Sequence, residues 1–301
     1  MLKKPLLKTY ELSIFETLQE RLPFSKQASS YYHNLQLGYQ GEKEWESLLQ
    51  QQLNGYVIVL SDMRFEVGTS TFQVDSLLLT GDSLLLFDVK NFPGDYKYEE
   101  RRWYKLPNKE INNPLLQLMK NETLMRQLLQ QLDVNLPIES YDVFINPAFT
   151  LYQAPVSKHF IFPTQLDRFI TSMNNRAPIT KFHHDLAAQL MSLDIGAYPH
   201  PNIPTYEFTQ LKKGLRCGEC CKLSMEVVGR KSICRKCGKS EPNADALLRN
   251  IKEFRLLFPK EKLTTNVVYD WCGEGYSQKS IKRLLEANFK RVGTNKWVYY
   301  V

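Results

Sequence analysis

Two aspartates and a lysine interrupt the most apolar part of the chain. Asp75 lies inside the apolar run 72–79, and Asp88 and Lys90 close the next run, 84–90. Alternate residues of a β-strand point to one face, so Asp88 and Lys90 project together, and a hairpin of the two runs would bring Asp75 near Asp88. Two carboxylates buried together need a compensating cation, and Mg²⁺ accepts oxygen ligands while keeping several waters. The pattern predicts a metal-bound water beside a lysine, a set of groups suited to phosphodiester hydrolysis.

An Asp-x-Lys sequence by itself has a simpler explanation. In isolation it is more often a salt bridge at the end of a strand than a catalytic site. The residues around it therefore decide how it is interpreted, and they form a recognisable series. The series comprises Gly41-Glu42, Gln73-Val74-Asp75, Asp88-Val89-Lys90-Asn91 with Gly94, Trp103, and Asn113-Pro114-x-x-Gln117.

This series resembles the nuclease-related domain (NERD) family, which is similar to PD-(D/E)xK nucleases with a restriction-endonuclease-like fold. The resemblance covers roughly residues 37–150. It implies that Asp75 and Asp88 hold Mg²⁺ or Mn²⁺ and that Lys90 orients or deprotonates the attacking water. It also implies that Glu42 reaches the site from the first helix, and Gln117 from the helix after the sheet.

Alternatives remain open for several of these positions. Glu42 is also explained as an acidic first-turn residue favoured by the helix dipole, and Gln117 as a residue that packs on its helix. Two positions depart from the family pattern: it usually has Glu at the position of Asp88, and often His at the position of Ser76. We expect Trp103 to be structural.

Four cysteines form two Cys-x-x-Cys pairs separated by 13 residues. Two such knuckles complete a tetrahedral Zn²⁺ site with no open position, which is typical of structural zinc. Cys221 could replace Cys220 as a ligand. The isolated Cys272 is expected to be a buried apolar residue. The predicted ligands are Cys217, Cys220, Cys234 and Cys237.

Hydrophobic periodicity supplies the elements that position these residues. It predicts helices at 9–22, 40–53, 114–132, 164–173 and 182–193. It predicts strands at 56–60, 72–79, 84–90, 96–98, 102–105, 141–145 and 159–162. This order indicates an α/β fold with a mixed sheet flanked by helices. The resemblance implies that this sheet is restriction-endonuclease-like.

The last sixty residues predict a small helical unit. Three helices, the third at 277–289, precede a hairpin at 290–297, and together they resemble a winged helix-turn-helix. A protein-interaction module with a solvated basic face is the alternative. The basic residues expected to contact phosphates are Lys279, Lys282, Arg283, Lys290 and Arg291.

Charge and composition divide the chain. Residues 206–301 carry a net charge of +10 and residues 1–205 a net charge of −3, which together give the overall +7. We expect an N-terminal helical segment (1–36), a nuclease-like core (37–150), the remainder of that core with a proline-rich linker (151–205), a zinc ribbon (206–241) and a winged-helix-like domain (242–301).

The function class follows from these motifs. The composition, 43% hydrophobic and 24% charged, is that of a soluble globular protein. Reduced cysteines and the lack of an apolar span predict a cytoplasmic protein without membrane contact. The sequence thus favours a metal-dependent nuclease acting on nucleic acid, which we expect to be DNA. The alternative is an inactive DNA-binding protein that uses the nuclease-like domain as a scaffold.

Overall fold

The computed structural model describes residues 1–196, 201–273, 275–294 and 297–301. The first residues of the predicted proline-rich linker, and Asn295 and Lys296 of the predicted terminal hairpin, lie outside these ranges. The chain divides into two compact units. Unit 1 comprises Met1–Thr9 and His33–Pro199, and unit 2 comprises Tyr10–Tyr32 and His200–Val301.

The first 196 residues contribute helices and strands to both units. The helices are α1 (Tyr10–Leu18), α2 (Lys26–Gln52), α3 (Pro114–Gln131), α4 (Leu166–Met173) and α5 (Lys181–Ser192). The strands are β1 (Leu2–Lys4), β2 (Ile58–Val67), β3 (Ser70–Leu79), β4 (Leu84–Lys90), β5 (Gly94–Glu99), β6 (Arg102–Lys105), β7 (Lys109–Ile111), β8 (Ile138–Phe144), β9 (Phe149–Tyr152) and β10 (Phe160–Ile161).

A six-stranded mixed sheet forms the centre of unit 1, in the order β1-β2-β3-β4-β8-β10. The pairs β2–β3 and β3–β4 are antiparallel, whereas β4–β8 and β8–β10 are parallel. Residues of α3 and α5 pack in a cluster with one face of the sheet, and residues of α2 and α4 in a cluster with the other. This confirms the expected mixed sheet flanked by helices. A second sheet has the order β7-β6-β5-β9. Trp103 on β6 of this sheet is fully buried in an aromatic cluster with Phe144 and Phe149.

Two elements extend far beyond the bounds that the sequence predicted. Helix α2 begins at residue 26 instead of 40, and β2 continues to residue 67 instead of ending at 60. In the added part of β2, buried Met63, Phe65 and Val67 alternate with Arg64 and Glu66, which are less buried. This period of two is the pattern of a strand with one covered face.

Unit 2 contains α1, the start of α2 and the C-terminal third of the chain. Its later elements are β11 (Met225–Val228), β12 (Lys231–Cys234), β13 (Ser240–Pro242), α6 (Asn243–Leu257), α7 (Thr265–Cys272), α8 (Gln278–Asn288), β14 (Arg291–Val292) and β15 (Tyr299–Tyr300). The strands β11-β12-β13 form one antiparallel sheet, and β14 pairs antiparallel with β15.

A buried arginine joins the N-terminal helix segment to the rest of unit 2. Arg21 is fully buried and donates to the carbonyl oxygens of Lys212 and Gly214 and to Glu253 at 3.0–3.2 Å. Its guanidinium also lies 3.8 Å from the ring centroid of Trp271. Residues 10–32 therefore supply part of the interior of this unit, a long-range contact that the sequence did not reveal.

Candidate active site and cysteine centre

The β3–β4 hairpin brings together the three residues that opened the sequence analysis. The backbone N–H of Val89 donates to Asp75 Oδ2 at 2.8 Å, so the Asp75 carboxyl group lies against β4 next to Asp88. Lys90 Nζ lies 2.7 Å from Asp88 Oδ2. The expected juxtaposition of the three side chains is thus present at the end of β4.

A glycine lets α2 approach this end of the sheet. A Cβ on Gly41 would lie 2.6 Å from the Cβ of Asn91, and Asn91 Nδ2 donates to the Leu37 carbonyl at 2.9 Å. The close contact carries Glu42 into the field of the site. Burial, followed by the charges of Asp62 and Asp88, raises the pKa of Glu42 to about 8.

Gln117 approaches the site from α3. Asn113 caps this helix by accepting a hydrogen bond from the Leu115 N–H, and Pro114 occupies the first turn, where a missing N–H costs nothing. The cap places Gln117 within the first turn, where its Oε1 lies 3.5 Å from Lys90 Nζ. At that distance the contact is at the outer limit of a hydrogen bond.

The carboxylates outnumber the one cation among them. Burial, then the charges of Glu42 and Asp88, holds the pKa of Asp75 well above its usual range. Burial alone would lower the pKa of Lys90, but Asp88 and Asp75 outweigh it and leave that pKa raised. Neighbouring carboxyl groups disfavour each other's ionisation, and a bound cation would relieve this repulsion. Asp75 and Asp88 therefore fit a hard divalent cation that keeps waters in its other positions.

Two further aspartates belong to this group and were missed by the sequence analysis. Asp62 has a left-handed backbone (φ 49°) and accepts from Gln73 Nε2 at 2.9 Å. Asp142 on β8 is the ladder partner of Asp88 and is 0% exposed. Burial, then the charge of Asp88, raises the pKa of Asp142 to about 8. For Asp142 the available signal was the one that identified Asp75, a carboxylate inside a run predicted to be a buried strand. Asp62 lies beyond the strand predicted at 56–60.

The model of the nuclease-related domain (NERD) matches residues 37–145. The chain carries a nuclease-related domain. The matched span runs from within α2 to just past β8, so it includes the carboxylates described above and Lys90. Such a domain implies a nucleic-acid substrate. Comparisons with curated proteins and with solved structures returned no match.

A preassembled four-cysteine centre lies outside the nuclease-related domain, in unit 2. The Sγ atoms of Cys217, Cys220, Cys234 and Cys237 all lie within 4.8 Å of one another. Two of the separations, Cys217–Cys237 and Cys220–Cys234, are 3.7 and 3.6 Å. A tetrahedral ion with bonds of ~2.3 Å requires sulfur separations of about 3.8 Å, so the cluster fits Zn²⁺. In the described parts of the chain no other group of three or more His, Cys, Asp or Glu side chains is drawn together in this way.

The structure also separates the two neighbouring cysteines. Cys221 lies outside the four-sulfur cluster and has a left-handed backbone (φ 59°), and its N–H donates to the Cys217 carbonyl at 3.1 Å. Gly238 repeats this arrangement after the second pair, with φ 74° and its N–H on the Cys234 carbonyl. Cys220 is thus the candidate ligand and Cys221 closes the knuckle. Cys272 is buried in the interior of unit 2, as expected.

The predicted basic residues lie on the surface of unit 2. Those on α8 are exposed, as are the two at its C-terminal side, and Lys282 lies 3.9 Å from Glu286. Exposure leaves these side chains accessible to phosphates. The five residues are Lys279, Lys282, Arg283, Lys290 and Arg291. Among the described residues no helix is long and apolar enough to span a membrane.

Proposed function

We propose that this protein is a nuclease that hydrolyses DNA phosphodiester bonds with a divalent cation, Mg²⁺ or Mn²⁺. The observation that carries the proposal is the position of the Asp75 carboxyl group, bonded to the Val89 N–H of β4, beside the Asp88–Lys90 pair. A bound cation would activate water and stabilise charge on the phosphate. Asp75 and Asp88 would hold this cation. Burying two neighbouring carboxyl groups costs stability unless a cation compensates their charge.

Lys90 supplies the positive group of the site. Its pKa is raised, so it remains charged at neutral pH. The ammonium then orients the attacking water and balances the charge that develops on the phosphate. Gln117 contacts the same nitrogen and limits its rotation. Glu42, which gains negative charge as its proton leaves, adds a further oxygen at the rim of the site.

Unit 2 provides affinity in this proposal. Zinc on the four cysteines stabilises the ribbon at 206–241, and the helices and hairpin at 242–301 act as a winged-helix-like module. The basic residues of α8 and β14 neutralise phosphates, so binding depends on salt and is insensitive to sequence. The 206–301 region carries a net charge of +10, which supports this division of labour.

The test of catalysis compares matched, zinc-loaded preparations in Mn²⁺. Asp88→Ala and Lys90→Ala should each lower the rate of DNA cleavage about a hundred- to thousand-fold, the usual effect of losing one preorganised group. Asp82→Ala is the control, because Asp82 lies just before the opposite end of β4, and it should cleave as the wild type does. Equal cleavage by wild type and Asp88→Ala would place the activity elsewhere. No cleavage by the wild type in any metal would favour the scaffold alternative.

The test of binding uses the full chain, since residues 10–32 form part of unit 2. Reversing Lys279, Lys282 and Arg283 to Glu should weaken duplex binding on all sequences alike. The control reverses exposed residues of unit 1 by the same total charge and should have a smaller effect. These control residues are Lys158, Arg168 and Lys181. Binding that survives only the first reversal would move the DNA contact to unit 1.

A further inference from the structure

Asp142 is a buried carboxylate whose partner is missing. It is 0% exposed, and within the described residues neither of its carboxylate oxygens has a hydrogen-bond partner. A buried ionisable group normally has a partner or coordinates a metal, because its desolvation is otherwise uncompensated. The position of Asp142 in the sheet shows which group can supply the compensation.

Strand register places Asp142 beside the aspartate of the Asp-x-Lys sequence. In the parallel β4–β8 ladder, Asp142 faces Asp88 and Phe144 faces Lys90. Neighbouring strands are about 4.8 Å apart and paired residues point to the same face. Lys90 reaches back to Asp88, at 2.7 Å, and so lies in the field of Asp142 as well. One ammonium therefore serves two adjacent carboxylates.

A cation on Asp88 disturbs this arrangement. The Lys90 ammonium contacts Asp88 Oδ2 in the structure, and a divalent cation drawn to the same carboxylate competes with it. Lys90 is itself largely buried, its side chain 14% exposed. If it left Asp88 with no other anion nearby, it would become an uncompensated buried charge, which is costly.

We propose that Asp142 is the counter-ion that receives the Lys90 ammonium when a divalent cation takes Asp88. Asp142 is thus a positioning residue: it makes Asp88 available to the cation and keeps Lys90 charged and held beside it. This inference rests on the proposed function. Both Asp142 carboxylate oxygens are closed to solvent, which disfavours direct ligation of a hydrated cation by Asp142.

The test is a double-mutant cycle on Mn²⁺ affinity, measured by calorimetry on zinc-loaded full-length protein. Asp142→Asn should weaken Mn²⁺ binding about tenfold or more, the usual effect of removing a group that orients a metal ligand. In the Lys90→Gln background the same substitution should change the affinity less than twofold, because the coupling passes through the ammonium. Asp82→Asn, the matched charge control at the other end of β4, should change it less than twofold in both backgrounds.

Each other outcome overturns the proposal. Equal weakening in both backgrounds would make Asp142 a direct ligand, and no weakening in either, or no Mn²⁺ binding by the wild type, would remove its role. Asp142→Ser, which deletes the charge with a smaller side chain, must reproduce the loss, and a cooperative calorimetric unfolding transition of unit 1 must show that it folds. DNA cleavage is assayed separately. If Asp142 and Lys90 are coupled in Mn²⁺ affinity but the protein does not cleave DNA, the nuclease proposal fails and this inference stands. If the protein cleaves DNA without that coupling, the nuclease proposal stands and this inference fails.

Discussion

Replacing Asp142 by asparagine should stabilise the protein in the absence of divalent cations. The substitution keeps the shape of a fully buried side chain and removes its ability to ionise. Most substitutions at buried polar positions destabilise, so a gain here would be a specific consequence of the charge crowding at the end of β4. It would also show that the native residue is retained at a cost to stability.

The magnitude follows from the raised pKa. The pKa of Asp142 moves from 3.8 to about 8, and each unit corresponds to ~1.36 kcal/mol, so the ceiling is about 6 kcal/mol. An asparagine amide without partners would itself cost about 1–3 kcal/mol, and Asp88 and Lys90 readjust. We therefore expect a gain of about 2 kcal/mol at pH 8, or roughly 4–8 °C in the melting temperature of a unit of this size.

The raised pKa of Asp142 also determines how the stability gain of Asp142→Asn changes with pH. Between pH 3.8 and about 8 the folded protein holds a proton on Asp142 that the unfolded chain has released, so the stability of the wild type falls as the pH rises. Asparagine does not titrate. The gain should therefore be small near pH 4 and largest near pH 8.

Differential scanning calorimetry in chelator is the assay, because two units need not unfold in one transition. Only the transition of unit 1 should move. Asp82→Asn is the control, because the pKa of Asp82 is shifted in the opposite direction. Burial tends to raise this pKa, but hydrogen bonds from Thr80 and Ser83 and the charge of Arg176 outweigh burial and keep it low. Removing the Asp82 carboxylate should therefore not stabilise the protein at pH 8. A lower melting temperature for Asp142→Asn at every pH would refute the reasoning, as would a gain that is independent of pH.

Three more outcomes are expected. Mn²⁺ should raise the melting temperature of unit 1 more at pH 8 than at pH 6, because carboxyl groups with raised pKa must release protons to bind it, and Asp88→Asn should abolish the shift. Arg21→Met should lower the free energy of unfolding of unit 2 by about 3–5 kcal/mol in urea titrations, because it leaves the buried Glu253 carboxylate without one of its partners. The control Lys222→Met removes only an exposed ion pair to Glu20 and should cost at most about 1 kcal/mol. Elemental analysis should find about one Zn²⁺ per chain and none in Cys234→Ser, with the unit 1 transition unchanged.

The parts of the structure that the sequence predicted are those determined locally. The β3–β4 hairpin follows from two apolar runs and a short turn, and alternation within β4 alone places Asp88 and Lys90 on one face. The spacing of the four cysteines likewise contains the whole centre, because each knuckle closes over a few residues. The roles assigned to these residues stay predictions.

The remainder depends on contacts between distant residues. Nothing near Arg21 in the sequence indicates that its partners lie beyond residue 210, and no periodicity reports which unit a helix joins. Asp142 gains its significance only from the register of β8 against β4, and Asp62 from a left-handed backbone inside a strand. For Asp142 a charge inside an apolar run was visible but its partner was not, whereas Asp62 lies beyond the strand predicted at 56–60.

The two candidate metal centres differ in what holds them together before an ion arrives. The four sulfurs are already within 4.8 Å of one another, in knuckles closed by backbone hydrogen bonds, so an ion such as Zn²⁺ would complete a site that leaves no position for a substrate. The carboxyl groups at the end of β4 are crowded: burial raises the pKa of Asp75 and so favours a proton there, and the Lys90 ammonium pairs with Asp88. An ion there must displace both, which makes its binding weaker, dependent on pH and reversible. Those are the properties a catalytic cation needs if a phosphate is to enter and leave its coordination sphere, whereas the cysteine centre has the properties of a permanent structural element.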